Sequence, residues 1–245
     1  MRFDFSIMAM ISDNLQQVLK RIDRAVELAE RPQGAVRLLA VSKTFGLDSV
    51  LEAVAAGQQA FGENYVQEGV DKVVGLREAG VTGVEWHCIG PLQSNKTRPV
   101  AEHFDWVHTV DRLKIAQRLS EQRPPDMPAL QVCVQVNVDG GANKSGVVPA
   151  EALALAQAVS ALPRLRLRGL MCIPEPAPDF PAACEVFGRA QALFAELNAQ
   201  GLAMDTLSMG MSDDLEAAVA SGSTLVRVGS AIFGRRFYPA GASVV

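Results

Sequence analysis

Apolar positions recur along the chain with two different periods. Residues 12–30 open with Ser12, a candidate N-cap, and place an apolar stripe on one helical face: Leu15, Val18, Leu19, Ile22, Val26 and Ala29. Eight short apolar runs follow, near 36–42, 58–61, 84–89, 105–109, 130–138, 165–172, 204–209 and 224–229. The stripe predicts an amphipathic helix, and the runs after it predict eight strands.

Helical patterns separate these runs, near 47–56, 64–79, 94–102, 112–122, 150–161, 180–200 and 213–221. Repeated strand-then-helix units indicate parallel strands joined by right-handed crossovers. Eight such units close into a barrel, and neither a GxGxxG nor a GxxxxGK[ST] motif suggests an open nucleotide-binding sheet. The sequence therefore predicts an α/β protein, a single (β/α)8 TIM-type barrel with an extra N-terminal helix. We expect one domain over residues 1–245, with 1–11 and 239–245 peripheral.

Composition and charge exclude several classes of protein. The chain is 49% hydrophobic and 20% charged, which suits a large core and not a disordered or fibrous protein. A net charge of -4 gives no basic footprint for nucleic acid or an anionic membrane, and no apolar run is long enough to span a bilayer. The cysteines lack CxxC spacing and mostly fall in apolar runs, so we expect buried thiols and a cytoplasmic protein.

A lysine follows the first predicted strand. Barrels of this type carry their ligand sites at the C-terminal ends of the strands, and Lys43 comes directly after the run that ends near Ser42. Partial burial disfavours the charged form of a lysine, so its amine can attack an aldehyde. The competing interpretation is a surface lysine whose stem covers apolar surface.

The ends of the last two strands have the composition of a phosphate site. Loops after strands seven and eight commonly bind phosphate in barrels, and here they contain Ser208, Ser212 and the pair Gly229-Ser230. Ser212 also opens a predicted helix, where it could serve only as an N-cap. Arg227 shares its strand face with Gly229, so we expect it to point into the barrel mouth and to meet an acceptor there.

Hydrolase and metalloenzyme interpretations find little support. The histidines His87, His103 and His108 lack metal-ligand spacing, and we expect packed or surface residues at all three. No GxSxG elbow or Cys/His pairing is evident, and we expect no metal site.

Five separated motifs resemble the pyridoxal phosphate homeostasis protein family, from about residue 12 to Tyr238. They read AVSKT around Lys43, FGENYVQE from Phe61, HCIGPLQSNK from His87, LSMGMSDD from Leu207 and VRVGSAIFG from Val226. The resemblance implies a fold-type III barrel like the N-terminal domain of alanine racemase, with pyridoxal 5'-phosphate held on Lys43 as a Schiff base.

The same resemblance implies roles for the other candidate residues. Ser212, Gly229 and Ser230 would hold the phosphate, and Arg227 would face the pyridine nitrogen. Asn64 and Ser208 would form walls of the pocket. A guanidinium cannot accept a proton, so the ring nitrogen would stay neutral and act as a weaker electron sink.

Three functions remain open from the sequence. The first is a cofactor carrier in intracellular pyridoxal phosphate homeostasis, which buffers the aldehyde or delivers it to apo-enzymes without robust catalysis. The alternative is a pyridoxal phosphate-dependent amino-acid racemase, which needs a second base; the tyrosine candidates are Tyr65 and Tyr238. A third is a Schiff-base aldolase that uses Lys43, Lys96 or Lys144. Because the chain ends soon after its last predicted strand, the carrier is favoured over the racemase.

Overall fold

Eight parallel strands form a closed barrel in sequence order in the computed structural model, which describes residues 5–141 and 145–234. The strands are β1 Arg37–Val41, β2 Ala60–Glu63, β3 Glu85–Cys88, β4 Trp106–Val110, β5 Leu130–Gln135, β6 Leu165–Met171, β7 Thr206–Ser208 and β8 Leu225–Val228. Strand β8 pairs with β1, so the sheet has no free edge.

Helices alternate with the strands and surround the barrel. They are α1 Phe5–Leu28, α2 Leu47–Ala55, α3 Val66–Glu78, α4 Thr97–His103, α5 Leu113–Gln122, α6 Pro149–Ser160, α7 Phe180–Ala199, α8 Leu215–Ala220 and α9 Ser230–Phe233. A short 3-10 turn, Ser94–Lys96, leads into α4. The predicted (β/α)8 barrel with an extra N-terminal helix is confirmed.

The apolar core has two layers because successive strand residues point to opposite faces of the sheet. The larger layer lies between the strands and the helices and includes Val107, Ile115 and Val132. Inside the barrel are two smaller clusters, one around Leu39 and Leu225 and one of Trp106, Cys133 and Met171. Polar side chains occupy the remaining interior positions and carry the site described below.

Helix α1 packs its predicted apolar stripe against α2, α8 and α9. It begins at Phe5 and not near Ser12, so the prediction of Ser12 as N-cap is wrong. No glycine or proline lies between residues 5 and 12, and nothing in the backbone stops the helix from extending. The Asn14 side chain donates to the carbonyl of Ile232 at 3.0 Å, which ties α1 to the end of the barrel.

Two strand boundaries differ from the prediction. Strand β2 covers 60–63 and not 58–61, because Gly62 and Glu63 continue the strand although they are not apolar. Strand β5 ends at Gln135 and not near residue 138, because Val136 pairs with Val147 in the following loop. Helix α9 after β8 was not predicted, since four residues are too short to show a helical period.

Two further findings concern the cysteines and the apolar character of the helices. All four cysteines are free thiols; Cys88, Cys133 and Cys172 are buried as expected, and Cys184 is half-buried. Within residues 5–141 and 145–234, no helix is both long and apolar enough to cross a membrane.

Substitution of a close-packed glycine tests the barrel. A Cβ at Gly169 in β6 would lie 1.6 Å from the carbonyl oxygen of Thr206 in β7, so Gly169→Ala forces two paired strands apart. We expect it to lower the free energy of unfolding by at least about 2 kcal/mol, measured by urea denaturation. The matched control is Gly188→Ala in α7, where a Cβ meets nothing within 4 Å. This control should be neutral or stabilise by up to about 1 kcal/mol; equal effects would contradict the interpretation.

Candidate functional site

A cavity of about 210 Å³ opens at the C-terminal ends of the strands. Its lining residues are Val41, Lys43, Asn64, Ile89, Ile173, Met211, Ser212, Asp213, Arg227, Gly229 and Ser230. Six of the seven predicted site residues are in this set, and only Ser208 is not. The four apolar walls and Asp213 were missed by the sequence reasoning, although each lies at or just after a strand end, where it could have been sought.

Arg227 forms the floor of the cavity. Its side chain is 4% exposed, and its guanidinium donates to three acceptors. Nη1 donates to the carbonyl oxygen and to Oγ of Ser208 at 2.8 and 2.9 Å, and Nη2 donates to the carbonyl of Cys172 at 3.0 Å. Burial lowers the pKa of Arg227 from its ordinary value, and these acceptors offset part of the cost of burying the charge. The expected acceptors are thus present.

Ser208 lies beneath Arg227 at the end of β7. It is fully buried, and its hydroxyl contacts both Arg227 and Nδ1 of His108, the latter at 2.9 Å. Ser208 therefore supports the floor of the cavity from below, whereas the sequence placed it in the pocket wall.

Gly229 and Ser230 line the cavity where β8 turns into α9. A Cβ at Gly229 would lie 2.9 Å from the carbonyl oxygen of Val41, so only glycine lets β8 approach β1 this closely. Ser230 opens α9, and the first N–H groups of a helix have no partner within it. This corner offers backbone donors and a hydroxyl group.

The loop after β7 differs from the sequence prediction. Helix α8 begins at Leu215 and not near residue 213, and Asp214 occupies its N-cap position, so Ser212 is not the N-cap. The Asp214 carboxylate accepts instead from the backbone N–H of Met211 at 2.6 Å, which tightens the loop. Arg21 of α1 donates to the carbonyl of Ser212 at 2.7 Å, so the extra helix helps to hold this rim.

A buried ionic cluster fixes the segment around Lys43. This Lys72 cluster consists of Ser42, Glu63, Glu68 and Lys72. The Lys72 ammonium donates to the carbonyl of Ser42 at 2.8 Å and to the carboxylates of Glu63 and Glu68, each at 2.7 Å. The Ser42 hydroxyl donates to Glu63 at 2.6 Å. The residue before Lys43 is therefore held through both its backbone and its side chain.

The residue after Lys43 is held by the same cluster. The Thr44 backbone N–H donates to Glu68 at 2.6 Å, and Thr44 has φ of 69°. A β-branched residue rarely adopts this left-handed conformation, and its cost is on the order of 1–3 kcal/mol. Burial raises the pKa of Glu63, while Lys72 and Ser42 act in the opposite direction. The cluster thus stabilises a strained turn that carries the lysine.

His87 and His108, for which we expected packed or surface positions, are fully buried inside the barrel and hydrogen-bonded to each other. Nδ1 of His87 lies 2.8 Å from Nε2 of His108, and Nε2 of His87 lies 2.8 Å from Glu85 Oε1. With Ser208 and Arg227 they form a continuous chain, which we call the histidine chain. His103, in contrast, lies at the end of α4 and bonds to the carbonyl of Pro99.

The remaining candidates lie away from the cavity or outside the described residues. Lys96 is exposed and does not line the cavity. Tyr65 is 59% exposed and is likewise not a lining residue. Lys144 and Tyr238 fall outside the described residues. No group of three or more His, Cys, Asp or Glu side chains suited to a metal occurs in residues 5–141 and 145–234.

Sequence comparison first assigns this barrel to a broad class of proteins that share one domain. A family model described as "Alanine racemase, N-terminal domain" matches residues 14–236. A protein named pyridoxal phosphate homeostasis protein from Escherichia coli K12 is 55% identical over 228 residues, 93% of this chain and 97% of the relative. The Pseudomonas aeruginosa protein of the same name is 56% identical over 236 residues, 96% of this chain and 100% of the relative. The chain belongs to the pyridoxal phosphate homeostasis protein family.

Solved structures agree with this assignment. PipY of Synechococcus elongatus PCC7942, solved with PLP bound, is 36% identical with a TM-score of 0.79, covering 91% of this chain and 100% of PipY. Alanine racemase of Corynebacterium glutamicum is 20% identical with a TM-score of 0.69, covering 96% of this chain and 64% of the racemase. The likeness to alanine racemase shows a shared fold.

Removal of the central cation tests the Lys72 cluster. Lys72→Met leaves the Glu63 carboxylate buried without its counterion, and we expect a loss of about 3–5 kcal/mol in the free energy of unfolding at pH 8. The deficit should shrink towards pH 5, because the already raised pKa of Glu63 rises further in the variant and the protonated acid needs no counterion. Urea denaturation at both pH values measures this.

Lys114→Met is the matched control, since Lys114 is an exposed lysine in α5. It should change stability by less than about 0.5 kcal/mol at either pH. A Lys72→Met deficit that is small, or that grows towards acid pH, would contradict the assigned role of the cluster.

Proposed function

We propose that this chain binds pyridoxal 5'-phosphate as a Schiff base on Lys43 and acts in the homeostasis of that cofactor by buffering or delivering it, without robust catalysis. The observation that carries the proposal is the meeting of Lys43, Arg227 and the Gly229-Ser230 turn in one cavity. The names of the curated relatives and the PLP bound to PipY support it.

The lining residues suit the chemistry of this cofactor. The amine of Lys43 can condense with the aldehyde, so that a C=N bond forms and water leaves. The hydroxyls of Ser212 and Ser230 and the backbone donors of the Gly229-Ser230 turn suit a phosphate. Val41, Ile89 and Ile173 offer apolar contact to a ring. Oδ1 of Asn64 is buried with no hydrogen-bond partner among the described residues, and a ligand can supply one.

Arg227 bears on what the bound cofactor can do. When bound, pyridoxal phosphate supplies an electron sink, whose strength depends on the protonation of its ring nitrogen. Arg227 is buried, donates to three acceptors and cannot accept a proton. Facing the ring nitrogen, it would keep that nitrogen unprotonated and the sink weak. This argues for holding the cofactor rather than for carbanion chemistry.

The form of the cavity also favours a carrier over a racemase. Among residues 5–141 and 145–234, the ionisable residues that line it apart from Lys43 are Asp213 and Arg227. Asp213 is exposed, and a racemase needs a positioned base on the face opposite its lysine. Ser230 and Met211 are exposed at the rim as well, which favours exchange with solvent over the exclusion of water.

The proposal extends to compartment, partners and domain organisation. Four free cysteines suit a cytoplasmic protein in a reducing environment. The partners are the cofactor itself and the pyridoxal phosphate-dependent apo-enzymes that receive it, with no role for nucleic acid or a membrane. We further propose one domain for the whole chain.

The Schiff base is tested by substitution and chemical trapping. We expect the protein incubated with pyridoxal phosphate to show a visible absorption band, and borohydride reduction followed by peptide mapping to fix the label on Lys43. Lys43→Ala should lose the band because it lacks the attacking amine. Lys96→Ala, which removes an exposed lysine outside the cavity, should keep it. A label fixed elsewhere, or no band, would contradict the assignment.

Delivery is tested with the loaded protein. Mixed with a pyridoxal phosphate-dependent apo-enzyme, it should restore that enzyme's activity, whereas Lys43→Ala carried through the same loading and desalting should restore little. In D2O with alanine, it should exchange the α-proton no faster than the same concentration of free cofactor. Faster exchange would instead establish a racemase-like activity and refute the absence of robust catalysis.

A further inference from the structure

The histidine chain crosses the barrel interior from its N-terminal end to the cavity. Glu85 and His87 lie two residues apart on the same face of β3. His108 lies on β4, Ser208 ends β7 and Arg227 lies on β8. The consecutive links are 2.8, 2.8, 2.9 and 2.9 Å long. Arg37 donates to Glu85 at 2.8 Å at the outer end of the chain. Five side chains from four strands thus connect one face of the barrel with the floor of the site.

The direction of these hydrogen bonds follows from the two ends. Arg227 has only donors, so it donates to Oγ of Ser208, and the serine hydroxyl is then directed at Nδ1 of His108. His108 therefore carries its proton on Nε2 and donates to Nδ1 of His87. His87 in turn carries its proton on Nε2 and donates to the Glu85 carboxylate, which can only accept. The donor at Arg227 and the acceptor at Glu85 require the same direction for every hydrogen bond, and both histidines are neutral in it.

The opposite direction is unfavourable. It requires a protonated His87 that donates from both nitrogens, and a His108 that donates from Nδ1 to Ser208. The serine hydroxyl would then have no acceptor in the chain, and His87 would be a second buried cation inside the barrel. The charged groups around the pair are Glu85, Arg37, Asp105 and Arg227; burial lowers the pKa of both histidines, and Arg227 contributes to the shift at His108.

We propose that His87 and His108 are positioning residues for Arg227, which they hold against the cavity through a one-way chain of hydrogen bonds that ends at Glu85. Each N–H or O–H dipole in the chain turns its negative end towards the guanidinium and its positive end towards the carboxylate, so the links reinforce one another. Nη1 is committed to Ser208 and Nη2 to Cys172, which fixes the orientation of the remaining donors.

The role towards the ligand rests on the proposed function. A fixed guanidinium below the cavity suits an acceptor nitrogen in a ring, and none of the chain's hydrogen bonds described above reaches Ser212, Gly229 or Ser230. Loss of the chain should therefore weaken contacts to the ring and leave contacts to a phosphate intact. This split separates a positioning role from a general contribution to folding.

The first test uses the unmodified protein without any cofactor. Long-range 1H–15N spectra of the histidine rings, assigned with the aid of the His87→Gln and His108→Gln variants, should show both residues neutral with the proton on Nε2 between pH 6 and 8. A protonated His87, or a proton on Nδ1 of His108, would refute the assigned direction and with it the proposal.

The second test compares ligands and variants. His108→Leu should raise the Kd for pyridoxal phosphate at least about tenfold, as expected when a hydrogen bond to a charged group is lost, and leave the Kd for inorganic phosphate within about twofold. His108→Gln, which offers an acceptor to Ser208 and a donor to His87, should recover much of the affinity. Cys133→Ala, a buried barrel residue outside the chain, should bind both ligands normally.

The outcomes distinguish the two proposals. Normal pyridoxal phosphate binding by His108→Leu, or equal weakening for both ligands, overturns the positioning role. If the unmodified protein does not bind pyridoxal phosphate at all, the proposed function fails. If His108→Leu does not fold, the ring spectra and the His108→Gln variant decide. His108→Gln should then bind pyridoxal phosphate more tightly than Lys43→Ala does. If it does not, the positioning role is overturned.

Discussion

Strands β1 and β8 pair in parallel from Arg37 opposite Leu225 to Ala40 opposite Val228, and this pairing closes the barrel. The site depends on it, because the lysine follows β1 and the Gly229-Ser230 turn follows β8. The two backbones approach so closely at Gly229 that only glycine fits there, because a Cβ at this position would contact the Val41 carbonyl. Residues from opposite ends of the sequence are thereby brought to one cavity, which a sheet open between these strands would not achieve.

Two buried polar networks act on this cavity from different sides of the sheet. The Lys72 cluster holds Ser42 and Thr44, and through them the turn of Lys43. The histidine chain lies inside the barrel and ends on Arg227. Buried polar groups are costly unless they are paired, and most members of the two networks have strong partners. The strained φ of Thr44 and the buried charge of Arg227 are both features that only a rigid surrounding structure can maintain.

The sequence predicted the barrel and most of the cavity because both follow from local patterns. Apolar periodicity located eight strands, and a residue after a strand end must lie at the barrel mouth, which located Lys43 and Gly229. Asn64 was expected in the pocket from the family resemblance. Polar partners were not predictable in this way. His87 and His108 were expected only as packed or surface residues, and their chain depends on four strands that meet only when the barrel closes. The competing role of Ser212 as an N-cap is wrong, because the helix begins at Leu215 and Asp214 occupies its N-cap position. The sequence did offer one signal for such a network, namely polar residues such as His87 within apolar strands, because a buried polar group needs a hydrogen-bond partner.

The two ends of the cavity differ in rigidity, and this difference connects structure with function. The floor consists of Arg227 and the fully buried Ser208 and His108, whose hydrogen bonds leave little freedom to rearrange. Among the residues that the structure describes, half-buried Lys43 and Asn64 lie at the rim together with exposed Asp213 and Ser230. A ligand held at its ring by the floor would keep one orientation while its reactive end stayed within reach of water and of other amines. Catalysis on carbanions requires the reverse, a sealed reactive end and a base opposite the lysine, so this distribution of burial suits a protein that holds and releases its ligand.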